Sequence, residues 1–361
     1  MPMSTAALDR SPIALHQAEA MLQFIDGAED RETWVAVGMA LKGEFGDTAW
    51  QAWDTWSQQA GNYSAAACRS SWRGFKARAG GYTIGTIIKL AKDGGYRFEP
   101  GERPDPAALA RRRAERAAKA AAEARDRAAL AGNAQANAAA AWRLALREGS
   151  SAYTQRKGID KPESCRYLTP DQGGGIVLPM LRYDLPREQA LKGVQTIRDD
   201  GSKKFTYGME KPGTACRLGL PVVGAPVFVC EGYATGMSIR MALERRYPVF
   251  VAWDAYNLPL VVESVHLLLK GCPIVICADD DWRTTIKGIA NNVGRIQAQI
   301  AMDGVMDAGA RLVVRSFPLF AAKRGDKDTD FNDLHRLEGL AEVRKQLDVA
   351  LDVLQQIQTY G

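Results

Sequence analysis

Two short apolar runs that end in acidic residues constrain the fold of this chain more than any other feature. Residues 227–230 (VFVC) lead into Glu231, and residues 274–277 (IVIC) lead into three consecutive aspartates at 279–281. Apolar runs of this length, flanked by proline and glycine, are typical of parallel strands that are covered on both faces. The carboxyl ends of such strands meet at one edge of a sheet, where ligands bind. We therefore expect the carboxylates to converge there, where a divalent metal would offset their repulsion.

The composition is that of an ordinary soluble globular protein. The chain has 361 residues, enough for two or three domains, of which 46% are hydrophobic and 25% charged. It has no run of eighteen apolar residues, and its first residues lack the pattern of a signal peptide, so we expect a cytoplasmic protein with no membrane association. The net charge of +5 permits a polyanionic partner without requiring one.

The six cysteines are scattered along the chain, and no CxxC pair occurs. With only three histidines, neither a zinc ribbon nor a disulfide framework is indicated. We expect free, buried thiols and no structural zinc.

Residues 12–97 have the pattern of a compact helical domain. Asp30 and Thr83 are candidate helix caps, and Trp50, Trp53 and Trp56 recur at a spacing of three. Such a stripe could stack bases of a single strand, but one buried helix face explains the spacing better. The basic residues around Trp72 could contact phosphate or form a solvated face, and both readings stay open; they are Arg69, Arg73, Lys76 and Arg78.

Residues 98–149 change abruptly to alanine, arginine and glutamate, which are strong helix formers. Because alanine offers little to bury, this segment is predicted to be a semi-rigid helical linker, kinked or interrupted at 131–138 (AGNAQANA). Its three consecutive arginines, at 111–113, could contact nucleic acid, but a solvated helix is the favoured interpretation.

Residues 150–220 have the pattern of short strands joined by turns, with many basic side chains. Asp200-Gly201 is a strong hairpin signal that leaves Lys203 and Lys204 at the start of the returning strand, on opposite faces. With Arg182 and Arg198, these lysines could form the positive wall of a groove. An ordinary charged hairpin is the alternative.

Residues 221–361 alternate strands and helices, which predicts an α/β domain with right-handed crossovers. Residues 284–304 are predicted to form one of its helices. A third acidic stretch, DKDTDFNDL, covers residues 326–334. Neither GxGxxG nor a P-loop is present, which argues against dinucleotide binding and against an ATPase motor.

Three motifs, VCEGYATG, ICADDD and DKDTDFNDL, resemble in order and spacing the pattern of a Toprim domain. The stretch before them (GGIVLPMLRYD and GVQTIRDDGSKKFTYG) resembles the basic subdomain of bacterial and phage primases. The N-terminal module, with DRETWVAVGMALK and TIGTIIKLAKDGG, resembles the helical domain found beside primase domains in phage and plasmid replication proteins. The implied fold class is an α/β Toprim domain (a parallel sheet flanked by helices), preceded by a small basic α+β subdomain, with a separate all-α N-terminal domain.

The resemblance also implies roles for individual residues. Glu231 corresponds to the family's glutamate, which acts in acid–base chemistry or orders a metal. Asp279 and Asp281 correspond to the aspartate pair that binds a divalent metal, and Asp280 between them is interpreted as a bystander. The remaining implied residues are the later metal-binding acids Asp328 and Asp330, and the nucleotide- or DNA-binding set of Lys203, Lys204, Arg198, Arg182, Asn332 and Asp333.

The sequence departs from the family pattern in two respects. Thr235 stands where primases often carry an acid, which puts one metal contact in doubt. The cysteine pattern of the zinc-binding domain of replicative primases does not occur in these residues either, so we expect template choice to work in another way.

The activity implied by the resemblance is that of a DNA primase, which makes short RNA primers on single-stranded DNA. Its cofactor would be Mg²⁺ or Mn²⁺, its substrates ribonucleoside triphosphates, and its partner a replicative helicase acting in trans. A Toprim nuclease would use the same acids, but it does not need the upstream basic hairpin. A non-catalytic DNA-binding replication factor is the third hypothesis, and Thr235 keeps it open. A topoisomerase is less favoured, because no second domain set surrounds a nucleophilic tyrosine.

Overall fold

A computed structural model describes residues 13–75, 81–98, 106–286 and 289–360. The chain divides into two compact units, residues 1–126 and 127–361. Each unit has its own hydrophobic core, and the two are described separately.

The described part of the first unit is helical. Asp30 accepts a hydrogen bond from the backbone N–H of Thr33 at 2.7 Å, and Thr83 accepts one from Gly85 at 3.2 Å, so both predicted caps are confirmed. Its helices are α1 (Leu15–Leu22), α2 (Arg31–Phe45), α3 (Trp50–Ser57), α4 (Ala65–Gly74), α5 (Ile84–Asp93) and the start of α6 (Pro106–Leu144).

The tryptophan stripe lies in the core of this unit. Trp53 and Trp56 are completely buried, and the indole N–H of Trp56 donates to the carbonyl of Ile25 at 3.0 Å. The interpretation as one buried helix face is thus confirmed, and the stripe is not a base-stacking surface. Arg69 and Arg73 are exposed, whereas Lys76 and Arg78 lie outside the described residues.

Helix α6 is continuous through residues 131–138, so the predicted interruption is wrong. Ala134 and Ala138 in this stretch are buried, and Ala138 packs with Val177 and Val194. Tertiary packing of small side chains therefore outweighs the weak helix propensity of Gly132 and the two asparagines.

An antiparallel four-stranded sheet, in the order β1-β2-β3-β4, opens the second unit. The predicted hairpin is confirmed, because Ile197 pairs with Lys203 across a turn in which Gly201 has a φ of +92°. The elements of this region are α7 (Ala152–Arg156), β1 (Arg166–Tyr167), β2 (Ile176–Leu181), α8 (Arg187–Ala190), β3 (Leu191–Ile197) and β4 (Lys203–Phe205).

A five-stranded sheet carries the acidic motifs. The remaining elements, in chain order, are β5 (Cys216–Leu218), β6 (Val227–Cys230), α9 (Tyr233–Ala242), β7 (Val249–Val251), α10 (Leu258–Leu268), β8 (Ile274–Cys277), β9 (Thr285–Ile286), β10 (Ile289–Ala290), α11 (Val293–Asp307), β11 (Val313–Ser316), α12 (Phe331–Glu338) and α13 (Leu340–Tyr360). The strand order is β11-β8-β6-β7-β5, and the first four strands are parallel. Strand β5 is antiparallel to β7, so the sheet is mixed rather than purely parallel.

Helices cover both faces of this sheet, as the apolar runs predict. Phe228 packs in a cluster that includes Met237 of α9 and Leu347 of α13. Its neighbour Val229 points to the opposite face, into a cluster with Val261 of α10. Because every position of β6 and β8 is buried, the strand sequences are continuously apolar instead of alternating.

The helix predicted at 284–304 begins later than expected. Residues Thr285–Ile286 and Ile289–Ala290 pair as two short antiparallel strands, and α11 starts at Val293. The β-branched residues of this stretch favour strands, and the side chain of Asn292 caps the helix by accepting from the backbone N–H of Arg295 at 3.2 Å.

The six cysteines are free, and five of them are buried, as predicted. In the part of the chain that the structure describes, no helix is long and apolar enough to cross a membrane.

Candidate active site

The acidic residues meet at the carboxyl edge of the five-stranded sheet. Cys230 of β6 is aligned with Cys277 of β8, so the residues that follow both strands emerge side by side. The carboxylate Oε1 of Glu231 accepts a hydrogen bond from the backbone N–H of Asp279 at 3.3 Å. The predicted convergence of Glu231 and Asp279 is therefore present in the fold.

Burial and mutual repulsion make this pair difficult to ionise. Burial raises the pKa of Glu231 to about 7, and the charges of Asp281, Asp254 and Asp330 act in the same direction. Burial likewise raises the pKa of Asp279 well above its usual range, with the charge of Glu231 as the next cause. The Oδ1 atom of Asp279 is buried without a hydrogen-bond partner. A cation at this edge would satisfy that oxygen and relieve the repulsion.

Asp281 lies against the start of α11. Its Oδ2 accepts from the backbone N–H of Gly294 at 3.0 Å, where the helix dipole stabilises negative charge. A Cβ on Gly294 would lie 2.2 Å from the backbone oxygen of Asp279, so only glycine allows this close approach. The helix start thereby holds two of the acids in place.

The third acidic stretch is tied to the same edge through its backbone. The N–H of Asp280 donates to the carbonyl of Thr329 at 2.8 Å. Next to Thr329, Asp330 is the N-cap of α12 and accepts from the N–H groups of Asn332 and Asp333 at 2.7 and 2.9 Å. Asp328 lies in a turn, in which its Oδ2 accepts from the N–H of Gly325.

Asn332 and Asp333 differ in their access to this edge. Asn332 is fully buried, and its Nδ2 donates to the carbonyl of Lys157 at 2.8 Å and to Ser238 Oγ at 2.9 Å. Asp333 is half-buried and accepts from the N–H of Thr329 at 2.9 Å. Burial, and then the charge of Asp330, raise the pKa of Asp333, which therefore belongs electrostatically to the acidic group.

Asp254 is a further acid at this edge that the sequence analysis missed. It follows β7, and its charge raises the pKa of Glu231. It forms an ion pair with Lys211 and caps the turn at Asn257 by accepting from its N–H at 3.0 Å. The signal was available, because residues 249–254 (VFVAWD) repeat the pattern of an apolar strand that leads into an acid.

The basic hairpin reaches the same edge of the sheet. Lys203 and Lys204 are exposed on β4. The ring of Phe205, on the same strand, meets Trp253 edge-to-face at 6.4 Å between centroids, and the N–H of Trp253 donates to the carbonyl of Glu231 at 2.8 Å. The hairpin and the acids are thus joined through the Phe205–Trp253 ring contact and the backbone hydrogen bond between Trp253 and Glu231.

The two other predicted basic residues are engaged within the protein. Arg182 forms a bidentate pair with Asp184, with N–O distances of 2.8 and 2.5 Å. The hydrogen bonds that Arg182 donates to Asp184 raise the pKa of Arg182. Arg198 donates to the carbonyl of Gln172. Both arginines are partly exposed, but neither lies next to one of the acidic motifs in the sequence.

The residues present are chemically suited to a divalent metal. Among the described residues, no three His, Cys, Asp or Glu side chains form a closed metal-binding group. Magnesium does not require one, because it keeps several waters and takes one or two carboxylates. The unpaired Asp279 oxygen and the all-oxygen donor set therefore fit Mg²⁺ or Mn²⁺.

Thr235 occupies the position where primases often carry an acid. Its side chain is buried at the start of α9, and its Oγ1 has no hydrogen-bond partner. It offers no carboxylate to the site.

Comparisons with known proteins agree with the sequence motifs. A model of the Toprim domain family matches residues 226–341, and a model described as primase C terminal 2 (PriCT-2) matches residues 18–91. DNA primase TraC from Escherichia coli is 32% identical over 228 residues, which are 60% of this chain and 19% of that protein. A second protein of that name and organism is 30% identical over 177 residues, 48% of this chain and 11% of the other. The chain thus spans at most about a fifth of these relatives.

Solved structures of primases superpose weakly. The primase fragment of the bacteriophage T7 primase-helicase protein has a TM-score of 0.39 and 15% identity, over 54% of this chain and 72% of that one. The zinc-binding and RNA polymerase domains of Aquifex aeolicus primase have a TM-score of 0.37 and 15% identity, over 74% and 66%. These scores do not by themselves assign a fold. Residues 226–341 match the Toprim domain family, residues 18–91 match PriCT-2, and the chain is homologous to DNA primase TraC over 228 residues.

Proposed function

We propose that this protein is a DNA primase, which makes short RNA primers on a single-stranded DNA template by metal-dependent nucleotidyl transfer. The observation that carries the proposal is the buried pair of Glu231 and Asp279, with Asp281 beside it, at the carboxyl edge of a Toprim sheet to which a basic hairpin is joined. The homology with DNA primase TraC supports the same activity.

In the proposed reaction, the primer 3′-hydroxyl oxygen attacks the α-phosphorus of the incoming ribonucleotide. The new P–O bond forms as the bond to the bridging oxygen breaks, and pyrophosphate leaves with that electron pair. The hydroxyl proton passes to Glu231, acting as general base. Asp279 and Asp281, with Asp328 and Asp330, would hold Mg²⁺ or Mn²⁺, which supplies charge neutralisation on the phosphates.

The other parts of the chain take supporting roles in this proposal. The template would cross the basic subdomain, residues 150–220, where Lys203, Lys204, Arg198 and Arg182 offer positive charge. Residues 221–361 form the catalytic domain, residues 98–149 the helical linker and residues 12–97 the primase-associated domain. A helicase acting in trans would supply the single strand, and the reaction would take place in the cytoplasm.

Asp333 and Asn332 complete the proposed nucleotide-binding set. Asp333 can act directly, because 17% of its side chain is exposed beside Asp330. The side chain of Asn332 is buried, so its proposed contribution is to hold the start of α12, through its bonds to Lys157 and Ser238.

The test is primer synthesis with the full chain, single-stranded DNA, labelled ribonucleoside triphosphates and Mg²⁺ or Mn²⁺. Wild type should give short RNA products, and the double variant Glu231→Ala, Asp279→Ala should lose at least about a hundredfold in rate. Asp307→Ala, which removes an exposed acid at the end of α11, is the matched control and should keep full activity.

Other outcomes separate the alternatives. Degradation of the DNA without RNA products would support the nuclease hypothesis. DNA binding with neither synthesis nor cleavage would support the non-catalytic replication factor. RNA products that persist in the double variant would overturn the site assignment.

A further inference from the structure

Four arginines and three aromatic rings form a compact surface cluster beside the acidic edge. We call it the arginine–aromatic cluster; its members are Trp282, Arg283, Arg295, Arg315, Phe317, Phe320 and Arg324. They come from three segments: the residues after β8, the first turn of α11, and β11 with the loop that follows it. The sequence motifs discussed above include none of them.

The guanidinium groups of the cluster are held against aromatic faces. Arg283 and Arg324 each lie 4.4 Å from the ring centroid of Trp282. Arg295 and Arg315 lie 4.7 and 5.7 Å from that of Phe317. Cation–π contacts and stacking restrict the motion of these side chains, so less entropy is lost when they bind an anion.

The cluster carries more positive than negative charge. Asp280 pairs with Arg295 at 2.7 Å and with Arg324 at 2.9 Å, and Asp326 pairs with Arg283 at 3.1 Å. The cluster thus has two carboxylates for four guanidinium groups, and each guanidinium group has five N–H donors. The side chains of Arg283 and Arg295 are 58% and 45% exposed, so donors remain available to a ligand from solvent.

The position of the cluster identifies the kind of anion. Asp280, which anchors two of the arginines, is the residue between Asp279 and Asp281. An anion on the cluster would therefore lie directly beside the carboxylates proposed to hold metal. A nucleoside triphosphate suits this position, because its β- and γ-phosphates are good acceptors for bidentate arginine.

We propose that the arginine–aromatic cluster binds the β- and γ-phosphates of the incoming ribonucleoside triphosphate while the α-phosphate lies at the acidic edge. The proposal rests on the proposed primase function. It adds a second basic wall to the site, formed by residues that follow Glu231 in the sequence, whereas the Lys203–Lys204 hairpin precedes it. A single-stranded template is a poorer fit, because two guanidinium groups already contact the Trp282 ring that a base would stack on.

The test compares three ligands on the full chain by isothermal titration calorimetry with Mg²⁺. They are an α,β-methylene ribonucleoside triphosphate, which cannot react at the α-phosphorus, the matching monophosphate, and a single-stranded oligonucleotide. Arg283→Gln should weaken triphosphate binding about tenfold and leave the other two affinities unchanged. Arg283→Lys should lose less affinity for the triphosphate, because lysine retains the charge but not the bidentate geometry.

Arg283 is the residue to change because its carboxylate partner, Asp326, is exposed, so the fold should tolerate the substitution. Arg311→Gln removes an exposed arginine just before β11 and is the matched control, with no expected change. Circular dichroism of each variant verifies folding.

Three results would overturn the proposal: no measurable triphosphate binding by wild type, equal affinity in Arg283→Gln, or equal weakening of triphosphate and oligonucleotide. The last would assign the cluster to the DNA backbone. Failure of the primase function is distinguishable, because it would leave triphosphate binding sensitive to Arg283 while no primers are made.

Discussion

The carboxylate of Asp280 accepts from Arg324 Nη1 at 2.9 Å, and this ion pair fastens the loop that carries Asp328 and Asp330 to the end of β8. The second oxygen of Asp280 binds Asn292 at 2.6 Å and Arg295 at 2.7 Å, at the start of α11. Burial would raise the pKa of Asp280, but the hydrogen bonds from Asn292 and Arg324 and the nearby arginine charges hold it below its usual range. The middle aspartate of the motif therefore organises the edge on which its two neighbours lie.

Asp280→Ala should lower the free energy of unfolding of the second unit by about 2–4 kcal/mol, because it leaves the largely buried Arg324 without its partner and removes the acceptor of Arg295 and Asn292. Differential scanning calorimetry would measure the effect. Asp326→Ala breaks the exposed pair with Arg283 and should change stability by less than about 0.5 kcal/mol. Equal effects of the two substitutions would show that Asp280 does not organise the edge.

Asp279→Asn should abolish primer synthesis and yet stabilise the metal-free protein, by about 1–2 kcal/mol, because asparagine avoids the cost of burying a carboxyl group among other acids. In wild type, Mg²⁺ should raise the melting temperature, and in the variant this rise should shrink. Calorimetry in EDTA and in Mg²⁺ gives both readouts. A variant that is less stable than wild type in EDTA would contradict the expected repulsion.

Gly294→Ala should destabilise the second unit by about 2 kcal/mol or more and reduce activity, because its Cβ would meet the backbone oxygen of Asp279. Gly304, in the same helix, has open space around it. Gly304→Ala should therefore stabilise the second unit by about 0.5–1 kcal/mol. Thermal unfolding of the two variants tests the close approach directly, and a loss of the same size in both would rule it out.

Stability should also depend on His335. Ser238 Oγ accepts from Asn332 Nδ2 at 2.9 Å, so its own hydroxyl can donate to His335 Nδ1 at 3.1 Å, which requires that nitrogen to be unprotonated. Burial, and then the charge of Arg336, lower the pKa of His335, whereas the charge of Asp160 opposes the shift. A lowered histidine pKa gives stability that is present above the ordinary value of 6.5 and lost as pH falls through the folded value.

We expect the free energy of unfolding to decrease by about 0.5–1 kcal/mol from this group between neutral pH and pH 5. His335→Asn, which does not titrate, should flatten that part of the profile. Denaturant unfolding at a series of pH values measures the difference. Parallel profiles for wild type and variant would exclude the proposed hydrogen bond.

Local sequence signals were sufficient where one segment carries its own information. The strands β6 and β8, the caps Asp30 and Thr83, and the hairpin at Gly201 follow from apolar runs, side-chain acceptors and turn residues that act over a few positions. The start of α11 and the continuity of α6 were misjudged. Both depend on contacts with residues far away in the sequence: Asn292 donates a hydrogen bond to Asp280, and Ala138 packs against the antiparallel sheet.

The sequence by itself determined the α/β domain, the acids at its strand ends and the Toprim resemblance, because strand periodicity and a three-part motif are properties of the linear chain. Only the tertiary structure decided which acids repel one another and that Asp254 is among them. It also decided that Asp280 forms ion pairs with Arg295 and Arg324. The physical reason is distance: charges interact through space, and folding alone brings 231, 254, 280 and 330 to one edge of a sheet.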